Sequence, residues 1–189
     1  MAAKRLGVLA GAFNPVTKAH LALLDASLSI VDEAVCFVPR AYPHKDIHGA
    51  SLEDRIEMLR RAGGDYQIET GEGGLFIEIA RHLRAIHKHA DLYFICGRDA
   101  AERVVNWNYG EPGAIERMLD EFHLLVAARQ GDYAAPEHVR HRIHRLPIAA
   151  GYDELSSSEV RRRIAAGEPW EHLVPESIVD MVRRIYRAP

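Results

Sequence analysis

A chain of 189 residues, 48% hydrophobic and 27% charged, is long enough to close one hydrophobic core and has the balance of a soluble protein. A formal charge of −3 excludes the long-range field of a nucleic-acid binder. No segment reaches the ~20 apolar residues of a membrane span, and the short run LGVLAGAF leads into NPVTKAH rather than a signal-peptide cleavage site, so no membrane partner is expected.

In chain order, Leu6 to Ala10 is an apolar run that suits a strand covered on both faces. It enters the polar loop from Gly11, where Pro15 blocks simple continuation, and Ala19 to Leu28 reads as a helix with Leu21, Leu24 and Leu28 on one face. Ala34 to Val38 is a second strand, followed by the polar segment RAYPHKDIHGA. Ser51 with Asp54 three residues on predicts a helix N-cap, and that helix fades at Gly63 and Gly64. A short strand at Tyr66 to Glu69, a helix from about Leu75 to His89 and the strand Leu92 to Cys96 come next. Ala100 to Met118 reads as helix in pieces, broken near Asn106 to Pro112, before the strand His123 to Ala128.

Gln130 to Arg145 carries no clear pattern, and Leu146 to Ala149 reads as a last short strand ahead of a turn at Gly151. Ser156 with Glu159 has capping-box spacing, Gly167 is placed to end that helix, and Pro175 suits the first turn of another running to about Tyr186. Strands alternating with helices predict an α/β fold, a Rossmann-like parallel sheet flanked by helices, in a single domain over 1–189 with C-terminal helices from about 156 packed on it. Cys36 and Cys96 sit in apolar runs and read as buried reduced thiols, which points to the cytoplasm.

In a parallel sheet the ligand lies beyond the carboxyl ends of the strands, which singles out Gly11 to His20, Pro39 to Lys45, Gly97 to Asp99 and Arg129. The strand, tight loop and helix start at Gly11 to His20 form an anion site, because the first N–H groups of a helix lack partners and carry partial positive charge. Thr17 and His20 stand beside that point. Ser156, Ser157 and Ser158 open a second helix, with Lys45 and Arg161 as cations, and two helix starts suit two parts of a triphosphate. Ser156 to Ser158 can join the other residues only if the chain returns to the same sheet edge. There is no G-x-x-x-x-G-K-[ST] loop, G-x-S-x-G elbow, C-x-x-C pair or H-E-x-x-H. His138, His141 and His144 recur every three residues without an acidic or cysteine ligand beside them, so a metal centre is not expected.

GAFNPVTKAH at Gly11 to His20 is similar to G-[ST]-F-[DN]-P-x-[HT]-x-G-H, and LSSSEVR at Leu155 to Arg161 resembles I-S-S-T-x-I-R. These are the motifs of the (T/H)xGH nucleotidyltransferases. Within that superfamily the chain resembles the nicotinate/nicotinamide mononucleotide adenylyltransferases through VPRAYPHK at Val38 to Lys45, ICGRD leading to Trp107, AAR at Ala127 to Arg129 and the ending VPESIVDMVRRIY.

The resemblance implies transfer of an adenylyl group from ATP to the phosphate of a mononucleotide, with release of pyrophosphate. His20, Thr17 and Arg161 would be catalytic. Gly11, Ala12, Phe13, Gly97, Asp99 and Ser156 to Ser158 would bind ATP, with His20 and Arg161 contacting its phosphates. Lys45 would hold the mononucleotide phosphate, or Arg40 or His44 in its place, while backbone around Ala12 and Phe13 with Trp107 stacking would receive the pyridine ring. Mg2+ is implied, bound through ATP phosphates, and a homo-oligomer is compatible with the family. Trp107 and Phe13 each have a plain packing reading, and Arg162, Arg163, Arg183 and Arg184 read as solvated helix faces.

Two positions depart from the pattern. Thr17 stands where the pyridine-nucleotide branch has histidine and is typical of phosphopantetheine adenylyltransferases, which also tend to have a third serine, as at Ser158 here. Phosphopantetheine and FMN are therefore alternative acceptors. Ala19 replaces glycine, and its methyl group is expected to crowd the approach of ATP; a nucleotide-binding relative without turnover is the other reading.

Overall fold

The computed structural model describes residues 3–41, 49–127, 133–149, 151–152 and 155–187. Six strands form one parallel sheet: β1 (Lys4–Ala10), β2 (Glu33–Pro39), β3 (Gln67–Gly71), β4 (Ala90–Gly97), β5 (His123–Ala127) and β6 (Ile143–Arg145). Their order is β3-β2-β1-β4-β5-β6, so the chain winds outward from β1 in one direction and then crosses over to continue from β4 in the other. β1 lies between its partners, with Val8 opposite both Val35 and Phe94. The crevice between the ends of β1 and β4 is the switch point where such sheets take ligands.

Side-chain alternation along the strands divides the interior into two layers. Leu9, Cys36, Val38, Ile95 and Leu125 face one side, and Leu6, Val8, Val35, Phe37, Phe94 and Leu124 the other. The first face is covered by α1 (Lys18–Ser27), α2 (Leu52–Ala62), α6 (Ser157–Ala166) and α7 (Val179–Ile185), which contribute Leu24, Met58, Val160 and Val182. The second is covered by α3 (Phe76–Ile86), α4 (Arg98–Asn106) and α5 (Ala114–Leu119), which contribute Leu83, Val105 and Leu119. On the first face α1 presses close to β1. A Cβ at Gly7 would lie 2.9 Å from the Val31 side chain, so only glycine fits beneath that packing.

The predicted elements fall close to the observed ones. Ser51 caps α2 as its spacing predicted: its hydroxyl accepts from the Asp54 N–H at 3.0 Å, and the Asp54 carboxylate accepts from the Ser51 N–H at 3.1 Å. Ser156 caps α6 in the same way, but Glu159 does not return the bond; its carboxylate pairs instead with Arg162 and Arg163. The predicted last strand at Leu146 to Ala149 is displaced. The ladder runs over Ile143–Arg145, preceded by a 3-10 turn at Glu137–Arg142, and Leu146 contributes one further bond from its N–H to the Val126 carbonyl. The segment after Pro175 begins as a 3-10 turn, Glu176–Ile178, before α7. Both cysteines are buried and free, and burial raises both thiols, that of Cys96 to about 12. No helix among the described residues is long and apolar enough to cross a membrane.

Candidate active site

The loop between β1 and α1 leaves the central strand at Gly11, whose N–H donates to the Phe37 carbonyl at the end of β2. Phe13 then adopts a positive φ of 49°, and the Asn14–Pro15 bond is cis. A bulky residue in left-handed backbone is costly and persists only where its surroundings hold it. Here they do: the Phe13 ring is buried and meets His20 edge-on, with centroids 5.0 Å apart.

At the start of α1 the Thr17 backbone N–H donates to Nδ1 of His20 at 2.9 Å, and the Thr17 hydroxyl lies 2.9 Å from the same nitrogen. A backbone N–H can only donate, so Nδ1 is an acceptor and the ring proton sits on Nε2. Burial disfavours the imidazolium and lowers the His20 pKa to about 4. At neutral pH His20 is therefore an uncharged donor through Nε2–H. Thr17 is fully buried, with its hydroxyl turned to His20, so its place is behind the histidine. Ala19 is 6% exposed; its methyl group is covered by protein instead of standing in the open approach to the helix start.

The second helix start meets the first. The Ser157 hydroxyl donates to the Pro15 carbonyl at 2.7 Å, and Arg161 donates through Nη1 to the Asn14 carbonyl and through Nη2 to the Ser158 hydroxyl at 3.3 Å. The chain thus returns to the edge from which it began, and the N-termini of α1 and α6 share one site. Their dipoles both present positive ends there, a setting for an extended anion. At the end of β4, Gly97 caps α4 with open space where a side chain would project, and Asp99 is exposed in the first turn.

The loop is braced from behind by residues that sequence reasoning did not select. Arg55 of α2 is 2% exposed and donates to the Ala12 carbonyl at 3.1 Å and to the Ser51 carbonyl at 3.3 Å. Tyr186, after α7, donates its hydroxyl to the Asn14 side-chain oxygen. The contacts of Arg55 with Ala12 and of Tyr186 with Asn14 join segments far apart in the chain, and although Tyr186 closes the ending VPESIVDMVRRIY, neither it nor Arg55 was singled out as a site residue.

Other expected residues lie elsewhere. Trp107 is 66% exposed beyond the end of α4, which sets aside its core reading; the helix between them places it ~15 Å along the axis from Gly97. Phe13 packs inside, so only its backbone is available to a ligand. Lys45, His44 and Arg129 lie outside the described residues. Arg162 pairs with Glu159 and Glu168, Arg163 with Glu159, and Arg183 with Asp180 and Glu171, as solvated faces would. His138 faces Glu116 at 3.7 Å while His144 faces His123 at 2.9 Å, so the evenly spaced histidines do not converge.

Comparison with known proteins agrees with this geometry. A probable nicotinate-nucleotide adenylyltransferase of Saccharopolyspora erythraea is 29% identical over 209 residues, covering 97% of this chain and 90% of its own. One from Gloeobacter violaceus is 29% identical over 98% of both. The structure of Plasmodium falciparum nicotinic acid mononucleotide adenylyltransferase complexed with NaAD superposes with a TM-score of 0.71 over 97% of each chain at 18% identity, and so shares the fold. Residues 8–163 match the family model described as cytidylyltransferase-like, which takes in the loop at Gly11, the switch point and the start of α6, and the chain belongs to that family.

Proposed function

We propose that the protein is an adenylyltransferase that moves AMP from ATP to the phosphate of nicotinate or nicotinamide mononucleotide, a step of NAD biosynthesis. One observation carries the reading: the helix starts at Thr17 and Ser156 are joined at the sheet switch point by the Ser157 to Pro15 hydrogen bond, with His20 held there as a neutral Nε2–H donor. The named activity of relatives that match the chain end to end supports the same reaction and acceptor.

An oxygen of the acceptor phosphate bonds to the α-phosphorus of ATP, and the bond from that phosphorus to the bridging oxygen breaks, leaving with its electron pair as pyrophosphate. The nucleophile is already ionised at neutral pH, so no side chain has to remove a proton and the work is positioning and charge stabilisation. His20 donates Nε2–H to oxygens that gain charge and keeps its proton throughout. Arg161, anchored by the Asn14 carbonyl, directs its remaining N–H groups with Ser156 to Ser158 toward the departing phosphates. Gly97, lacking a side chain, leaves room for the ATP ribose side, where Asp99 can accept from a hydroxyl. The Ala12 and Phe13 backbone with Trp107 receives the pyridine ring, and Lys45 its phosphate.

Mg2+ would be bound through ATP phosphate oxygens and water. When bound there the ion neutralises phosphate charge. The buried free thiols fit a reducing compartment such as the cytoplasm.

Thr17 favours a second reading of the acceptor, phosphopantetheine, and FMN is a further alternative. Incubating the protein with ATP, Mg2+ and each acceptor in turn, with product and pyrophosphate measured, decides among them. Dinucleotide from nicotinate mononucleotide is the expected product; product from phosphopantetheine alone would sink that choice, and no product from any acceptor would leave a nucleotide binder without turnover.

A further inference from the structure

We propose that Tyr186 is a positioning residue for adenylyl transfer, the point at which the C-terminal helix sets the loop that faces ATP. The inference rests on the reading of the site as an adenylyltransferase centre.

Three observations meet at this side chain. Its hydroxyl donates to the side-chain oxygen of Asn14, a residue 5% exposed whose carbonyl is the acceptor for Arg161. Asn14 is thus held at both ends, by the last helical segment through its side chain and by α6 through its backbone. The next carbonyl, that of Pro15, receives the Ser157 hydroxyl, so the orientation of one short stretch settles where Ser157 and Arg161 stand.

The ring of Tyr186 meets a second segment. Gly49 has φ of +99°, and a Cβ built on it would lie 2.9 Å from the tyrosine ring, so the backbone leaving the segment after β2 rests on the aromatic face. The phenol thus makes two contacts, through its hydroxyl to Asn14 and through its ring to the Gly49 backbone.

Burial raises the Tyr186 pKa, so the phenol stays a donor across the working range of pH, and Arg161 and Arg55 are near enough to act on it electrostatically. With the hydroxyl removed, the buried Asn14 oxygen loses this donor, and the placement of the Asn14 side chain set by it is weakened while the Arg161 and Ser157 bonds to the Asn14 and Pro15 carbonyls remain. Small displacements of positioning groups have large effects on rate.

The division between hydroxyl and ring gives the test. Wild type, Tyr186→Phe, Gly49→Ala and Tyr66→Phe are compared by melting temperature, by ATP binding and by steady-state kinetics toward both substrates. Tyr66→Phe is the control, since it removes a similar bond, from its hydroxyl to the Leu59 carbonyl at 2.7 Å, outside the loop.

Tyr186→Phe keeps the ring on Gly49 and loses only the bond to Asn14. It is expected to lower kcat/KM for ATP about tenfold and to weaken ATP binding at least about threefold, with KM for the acceptor within about twofold of wild type. Gly49→Ala displaces the ring that carries the hydroxyl and is expected to lower kcat/KM for ATP and weaken ATP binding as Tyr186→Phe does. Tyr66→Phe is expected to lower the melting temperature as much as Tyr186→Phe while retaining wild-type kinetics.

Tyr186→Phe within about twofold of wild type in both ATP readouts would overturn the proposal, as would Tyr66→Phe falling equally. If Tyr186→Phe fails to fold, wild-type kinetics in Gly49→Ala overturn it. A wild type silent with every acceptor defeats the adenylyltransferase reading instead, and ATP binding across the set then decides alone for or against Tyr186.

Discussion

The Thr17 backbone N–H donates to Nδ1 of His20 at 2.9 Å, and that bond places the imidazole proton on the far nitrogen, Nε2. In the proposed reaction His20 would serve as a neutral hydrogen-bond donor to charge developing on phosphate. Replacement by alanine is expected to lower turnover about 100-fold, the scale of losing one such donor, with the circular dichroism spectrum unchanged. Turnover near wild type would remove His20 from this role.

The hydroxyl of Thr17 is the second group against Nδ1, and it is fully buried. Thr17→Val keeps the shape and the backbone donor while deleting the hydroxyl. Turnover is expected to fall about three- to tenfold, well short of the His20→Ala loss, and 15N chemical shifts should still report His20 as the Nε2–H tautomer at pH 7. A loss equal to that of His20→Ala would mean that the hydroxyl contacts substrate directly.

Stability should fall on mild acidification. His20 and His123 are lowered to about 4 and His144 is lowered as well, by burial first and, for the latter two, by the adjacent Arg142. The unfolded chain takes up protons at these groups near pH 6.5, while in the folded chain His20 and His123 do not until about 4 and His144 does so only below its ordinary value, so over that range the unfolded state binds more protons and stability declines as pH drops. Below that range Asp32 beside Arg5 and Glu159 beside Arg162, each held at about 2, prolong the decline as they become protonated. Urea denaturation at pH 7, 6, 5 and 4 checks the sign; a midpoint constant from 7 to 5 would refute it.

Arg55 supports the loop from α2 with two bonds to backbone carbonyls. Arg55→Leu removes both donors from a site that water cannot enter, at an expected cost of about 2–4 kcal/mol. Turnover should fall even at temperatures where the variant is fully folded, because the Ala12 carbonyl loses the group that orients it. Stability from urea titration and kinetics at low temperature measure the two effects separately.

What could be read in advance followed the reach of each interaction. The cap at Ser51, the break between Asn106 and Pro112 and the strand at Leu92 to Cys96 depend on residues within a few positions of one another, and each lies where local pattern placed it. The sheet edge did not follow. Leu146 to Ala149 is the more apolar stretch, but the ladder is anchored by register, with Leu124 opposite Ile143, and a three-residue edge strand needs little hydrophobicity of its own. In the site, the motif residues Thr17, His20, Ser157 and Arg161 were found from spacing and resemblance. Arg55 and Tyr186 were not, because a buried arginine in an amphipathic helix and a tyrosine near a helix end carry no local sign of the carbonyl or amide they meet 43 and 172 positions away.

The bond between Tyr186 and Asn14 also orders events in time. Every strand among the described residues lies before residue 146, so all of them are synthesised before the chain reaches the tyrosine that holds Asn14. A nascent chain stalled ahead of residue 186 would carry these strands with Asn14 still waiting for that hydroxyl.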